Sequence, residues 1–136
     1  MSKPKIFISH AQADSKFATA LARQLKHKGV DVFEDSQVQA GEDWFESIRA
    51  SLTASDLVVF VVPLREGEGR FALGELGAAR MMNKKIFAVL PDQARYANSD
   101  VARVLSKGLM VDAARLTAEQ LTQTIIASIP QEQDAA

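Results

Sequence analysis

Short apolar runs alternate along the chain with segments whose apolar residues recur at helical spacing. That alternation is the signature of βα units wound around a parallel sheet, so an α/β fold is expected. The runs are Lys5 to Ile8, Val30 to Phe33, Leu57 to Val62, Ile86 to Leu90 and Leu109 to Val111. The third, Leu-Val-Val-Phe-Val-Val, has no polar alternation. A strand of that kind is buried on both faces and is predicted to be central.

Between the first two runs, Phe17, Leu21 and Leu25 repeat every fourth residue beside Ala18 and Ala22, which predicts an amphipathic helix over Asp14 to Lys28. Asp14 is the expected N-cap and Gly29 the expected stop. Trp44, Ile48 and Leu52 form one stripe of a second helix, preceded by Glu42 and Asp43, which suit the positive end of its dipole. Leu64 to Arg70 is predicted as a surface loop and Phe71 to Asn83 as the next helix. Ser99 to Lys107 is a candidate short helix. Thr117 to Ile129 is predicted to close the fold as a helix opened by a Thr-Ala-Glu-Gln capping box.

Composition narrows the function classes. With 136 residues, 47% of them hydrophobic, the chain can bury a core of its own, and one domain over 1–130 with a disordered tail at 131–136 is expected. Charge nearly cancels, 16 basic residues against 17 acidic, so no global field draws nucleic acid or an anionic membrane, and neither partner is expected. The absence of cysteine excludes disulfides, thiolate metal sites and a cysteine nucleophile. Neither a signal-peptide core nor a stretch long enough to span a bilayer is present in the sequence, and a cytoplasmic location is expected.

Several motifs stand at mutually consistent distances. Lys5-Ile6-Phe7-Ile8-Ser9-His10 leads to Asp14; Gly29-Val30-Asp31-Val32-Phe33-Glu34-Asp35 follows; then come Ala40-Gly41 with Trp44 and Ile48, Ser55-Asp56 before the central run, and Phe71 with Glu75-Leu76-Gly77-Ala78-Ala79. Taken as a set over Lys5 to Leu90, these resemble Toll/interleukin-1 receptor (TIR) domains of the bacterial kind. The resemblance implies a flavodoxin-like sandwich, a five-stranded parallel sheet of order 2-1-3-4-5 flanked by helices. In such an order the topological switch point lies between the first and third strands, and ligands bind beyond the carboxyl ends of the strands there. Ser9, His10 and Ala11 would border that crevice.

The resemblance also implies a catalytic role for Glu75, the position of the catalytic glutamate in NAD-cleaving TIR enzymes. The chemistry can be argued separately. Nicotinamide in NAD is a cationic pyridinium that leaves as a neutral molecule, so no general acid is needed. What must be stabilised is an oxocarbenium-like ribosyl centre, and one ionised carboxylate can do that while accepting hydrogen bonds from the 2′ and 3′ hydroxyls. NAD is then substrate, with no cofactor and no metal expected.

Each candidate also has a structural reading. Glu75 can be a solvated carboxylate favoured by a helix N-terminus. Gly74 and Gly77 bracket it and mark a close approach, either by a ligand or by the neighbouring strand. Trp44 is the only tryptophan, and it either fills the core or walls the nucleotide pocket with its ring edge. Arg70, with Arg65, can meet a pyrophosphate or belong to a solvated loop shared with Glu66 and Glu68. Two positions depart from the family pattern: Phe71 stands where tryptophan is frequent and Gly69 where serine is. The resemblance implies that Asp35 opens a loop through Gly41 that gates the site and mediates self-association or contact with other TIR domains. The competing functions are a nucleoside deoxyribosyltransferase-like N-glycosidase and a non-catalytic TIR adaptor module.

Overall fold

The computed structural model describes residues 3–10, 14–34, 44–62, 77–91 and 109–130. The strands are β1 (Lys5–Ser9), β2 (Asp31–Glu34), β3 (Leu57–Val61), β4 (Ile86–Leu90) and β5 (Leu109–Asp112). They form one sheet of order β2-β1-β3-β4-β5 in which every pairing is parallel. The helices are α1 (Ser15–His27), α2 (Trp44–Ala54), α3, described over residues 77–81, and α4 (Ala118–Ala127). The predicted fold class and strand order are both observed.

Strand pleating assigns the core to two layers. Ile6, Ile8, Leu57, Val59, Val61, Phe87 and Val89 point to one face and pack with Leu21 and Leu25 of α1 and with Leu121 and Ile125 of α4. Phe7 and Val58 point to the other, against Leu52 of α2 and Ala79 of α3. Every residue of β3 is fully buried, as the unbroken apolar run predicts. Burying each such side chain contributes roughly 1.5–3 kcal/mol.

The helix ends explain the strand boundaries. At the end of α1, Gly29 adopts φ +89°; its N–H donates to the Lys26 carbonyl, and the Val30 N–H donates to that of Leu25. This is a Schellman cap, with Val30 and Leu25 as its buried apolar pair. Because the Val30 N–H is spent there, β2 starts at Asp31, one residue later than the apolar run suggests. Asn83, at φ +56°, closes α3 in the same way: its N–H reaches the Arg80 carbonyl and that of Lys84 reaches Ala79. Lys84 then extends its Nζ to the carbonyls of Thr53 and Ser55, satisfying the end of α2 with a cation.

Two cap expectations have different outcomes. Thr117 and Gln120 form the complete capping box of α4, the backbone N–H of Gln120 donating to Thr117 Oγ1 and that of Thr117 to Gln120 Oε1. Asp14 occupies the N-cap position of α1, but its side chain makes no capping hydrogen bond. The reason is its backbone, φ −100° and ψ 14°, which departs from the extended conformation that swings a cap side chain over the first turn.

Candidate active site

The order β2-β1-β3 puts chain crossovers on opposite sides of the gap between β1 and β3, so the carboxyl ends of these strands open the crevice where ligands bind in this fold. The register aligns Phe7 with Val58 and Ser9 with Phe60. Alternation along β1 therefore carries Ser9 to the same face as Phe7, the face covered by α2 and α3. Ser9 has no exposure, and His10 just beyond it is 6% exposed. His10 is thus buried at the carboxyl end of β1. The lower end of these strands is stapled separately: the Lys5 N–H donates to Asp56 Oδ2 and the Asp56 N–H to the Lys5 carbonyl.

On the facing helix, Ala79 is fully buried, and Ala78 and Met82 are half-buried against the same layer. These three positions define the sheet-facing stripe of α3. Gly77 lies off that stripe and is exposed; a side chain built there meets nothing within 4 Å. The neighbouring strand is therefore not what approaches this glycine. Met81, 87% exposed, shares its outward face.

Of the candidate residues read from the sequence, Ser9 and His10 are brought to the crevice, and Trp44 begins α2, of which only its backbone is described. Ala11, Asp35, Arg70, Phe71 and Glu75 lie outside the described residues, as do the loop from Asp35 to Gly41, the segments 64–70 and 99–107, and the tail 131–136. The stripe Ala78, Ala79 and Met82, which faces the sheet, is a feature that residue-by-residue reading missed. Its i, i+1, i+4 spacing was the available signal.

Among the described residues no group of three or more His, Asp or Glu side chains could hold a metal ion, and no helix is long and apolar enough to cross a membrane.

Comparison with known proteins gives the fold its relatives. Similar structures include a CMP N-glycosidase of Clostridium botulinum, with TM-score 0.65, 17% identity, 92% of this chain covered and 99% of that one. The TIR domains of the activated Roq1 resistosome give TM-score 0.65 at 14% identity, covering 92% and 98% of the two chains. The TIR domain heterodimer of RPS4 and RRS1 gives 0.61 at 14% identity, covering 92% and 94%. No curated protein matches the sequence significantly. The sequence profile of the TIR domain matches residues 6–125, most of the chain and all of the sheet but Lys5. On that match, and on a sheet order that agrees with it, the chain belongs to the TIR domain family.

Proposed function

We propose that the protein is an NAD glycohydrolase or cyclase that cleaves the nicotinamide–ribose bond, with Glu75 as the catalytic residue. The observation that carries the reading is the orientation of α3. Position 75 stands three, four and seven residues before Ala78, Ala79 and Met82, the stripe that faces the sheet. By sequence spacing alone, position 75 is in register with that stripe, whose described residues face the same side of the sheet as Ser9.

There a carboxylate stabilises the oxocarbenium-like ribose as the C1′–N bond breaks and neutral nicotinamide departs. Addition of water yields ADP-ribose and a proton; attack by a second nucleophile within the same molecule yields a cyclic product. His10 and the backbone around Ala11 are assigned to the ribose or phosphates, and Arg70 to the pyrophosphate. Trp44 and Phe71 are assigned to the walls, with Asp35 opening the gating loop. We propose that 1–130 acts as one domain in the cytoplasm, self-associating through Asp35 to Gly41. Among the similar structures, a resistosome and a TIR heterodimer are assemblies, which supports that part of the reading.

The second reading is N-glycosidase action on another nucleotide. It is supported by likeness to the CMP N-glycosidase and to a 2-desoxiribosyltransferase of Leishmania mexicana, with TM-score 0.53, 17% identity and 65% of each chain covered. It uses the same carboxylate on a different leaving base. Incubation with NAD, CMP and deoxynucleosides, followed by chromatography of the free base, separates the two: nicotinamide release alone is expected. Cytosine release without nicotinamide moves the protein to the second reading. No release from any substrate, at high as well as low protein concentration, leaves it a TIR interaction module.

A further inference from the structure

The outward face of α1 is unlike the rest of the molecule in charge. From Ser15 to Val30 the sequence has no acidic residue but contains Lys16, Arg23, Lys26 and Lys28. Without these four, 12 basic residues remain against 17 acidic ones, so this acid-free stretch is locally cationic while the rest of the chain is net acidic. Lys16, Ala20, Arg23 and His27 are all exposed and fall at i, i+4, i+7 and i+11, directly opposite the buried stripe of Ala18, Leu21, Ala22 and Leu25. Lys28, beyond this stripe, is engaged with Glu119 at 2.9 Å.

Part of this face is a shallow, open depression between side chains. A depression of about 270 Å³ is lined by Ser15, Lys16, Thr19, Ala20 and Arg23. Ala20 supplies the floor because its side chain stops at Cβ, while the long side chains of Lys16 and Arg23 rise one helical turn to either side. Two hydroxyls, an ammonium and a guanidinium are all hydrogen-bond donors, and a guanidinium fork matches a carboxylate bidentately.

We propose that this face of α1 docks an acidic segment of a partner protein, seating a carboxylate side chain over Ala20 between Lys16 and Arg23. Charge complementarity selects the partner. A long polyanion such as nucleic acid is opposed by the net charge of −1 and by the excess of acidic residues in the rest of the sequence. A short carboxylate-bearing segment needs only the local cations, within about one Debye length. The assignment is independent of Glu75 and of NAD.

The test is fluorescence anisotropy of a labelled oligoglutamate peptide titrated with the full chain. Lys16→Glu with Arg23→Glu is expected to weaken binding at least about tenfold. Reversing Arg80 and Lys85, exposed cations elsewhere, is expected to change it far less. Ala20→Tyr, which fills the depression without altering charge, is expected to weaken binding as well. Equal effects of the two charge reversals, or no effect of Ala20→Tyr, overturn the proposal in favour of diffuse electrostatics. Tighter binding of a single-stranded oligonucleotide of the same charge overturns it in favour of a phosphate-polymer site. Loss of self-association in sedimentation velocity with peptide affinity unchanged assigns the face to a second copy instead.

Discussion

Thr117 shows how much one side chain can decide. Its hydroxyl and the Gln120 amide satisfy two backbone donors that α4 would otherwise leave open. Thr117→Ala is expected to cost about 1 kcal/mol in urea denaturation, and Thr117→Ser to recover most of it. Gly77 carries the opposite expectation. It sits on an exposed helical face with open space where a side chain would go, so Gly77→Ala should stabilise the fold by up to about 1 kcal/mol. If thermal unfolding rises and NAD turnover is unchanged, the glycine serves neither packing nor substrate; a fall in turnover places something outside the chain against it. Asp14 and Thr117 are both good N-cap residue types, yet only Thr117 caps with its side chain. Residue type announces where a helix begins, and the backbone angle entering it decides whether the bond forms.

At the scale of elements, most of the architecture was legible because each signal had a single physical source. β4 falls on its apolar run residue for residue, and the βα alternation gave the class. Most strand boundaries moved by one residue, and at the start of β2 the cause is the cap of α1, which consumes the Val30 N–H. The contacts that tie elements together were not legible, since they join distant residues: Lys84 caps α2 from beyond α3, and Lys28 of the α1 cap meets Glu119 in the first turn of α4. Lys84→Met is expected to lose about 1 kcal/mol through the unsatisfied carbonyls of Thr53 and Ser55. The hydrogen bond and charge of Lys28 hold the Glu119 carboxyl below its ordinary value. A depressed carboxyl contributes stability that is present above the ordinary glutamate range and fades as pH falls through the folded-state value. The gap in melting temperature between wild type and Glu119→Gln should therefore close on acidification and narrow with added salt.

For the whole molecule, the sheet order matters most. Placing β1 between β2 and β3 creates the crevice, and the pleat sends Ser9 to the side where α3 runs. Core substitutions on the opposite face, such as Ile125→Ala, should cost about 2–5 kcal/mol in stability without changing the chemistry of the folded fraction. The local positive charge of α1 could have been read from the sequence, where no acid occurs between Ser15 and Val30, but a net charge near zero concealed it. Cleavage of NAD by Glu75 remains the central claim. Its most direct test is quantitative chromatography of nicotinamide released from NAD by wild type and by Glu75→Ala, at dilute and at crowded protein concentrations, with melting temperatures measured alongside. The account predicts release by the wild type, strongest when crowded, and none by a variant that melts at nearly the same temperature. Equal release by both proteins would contradict it.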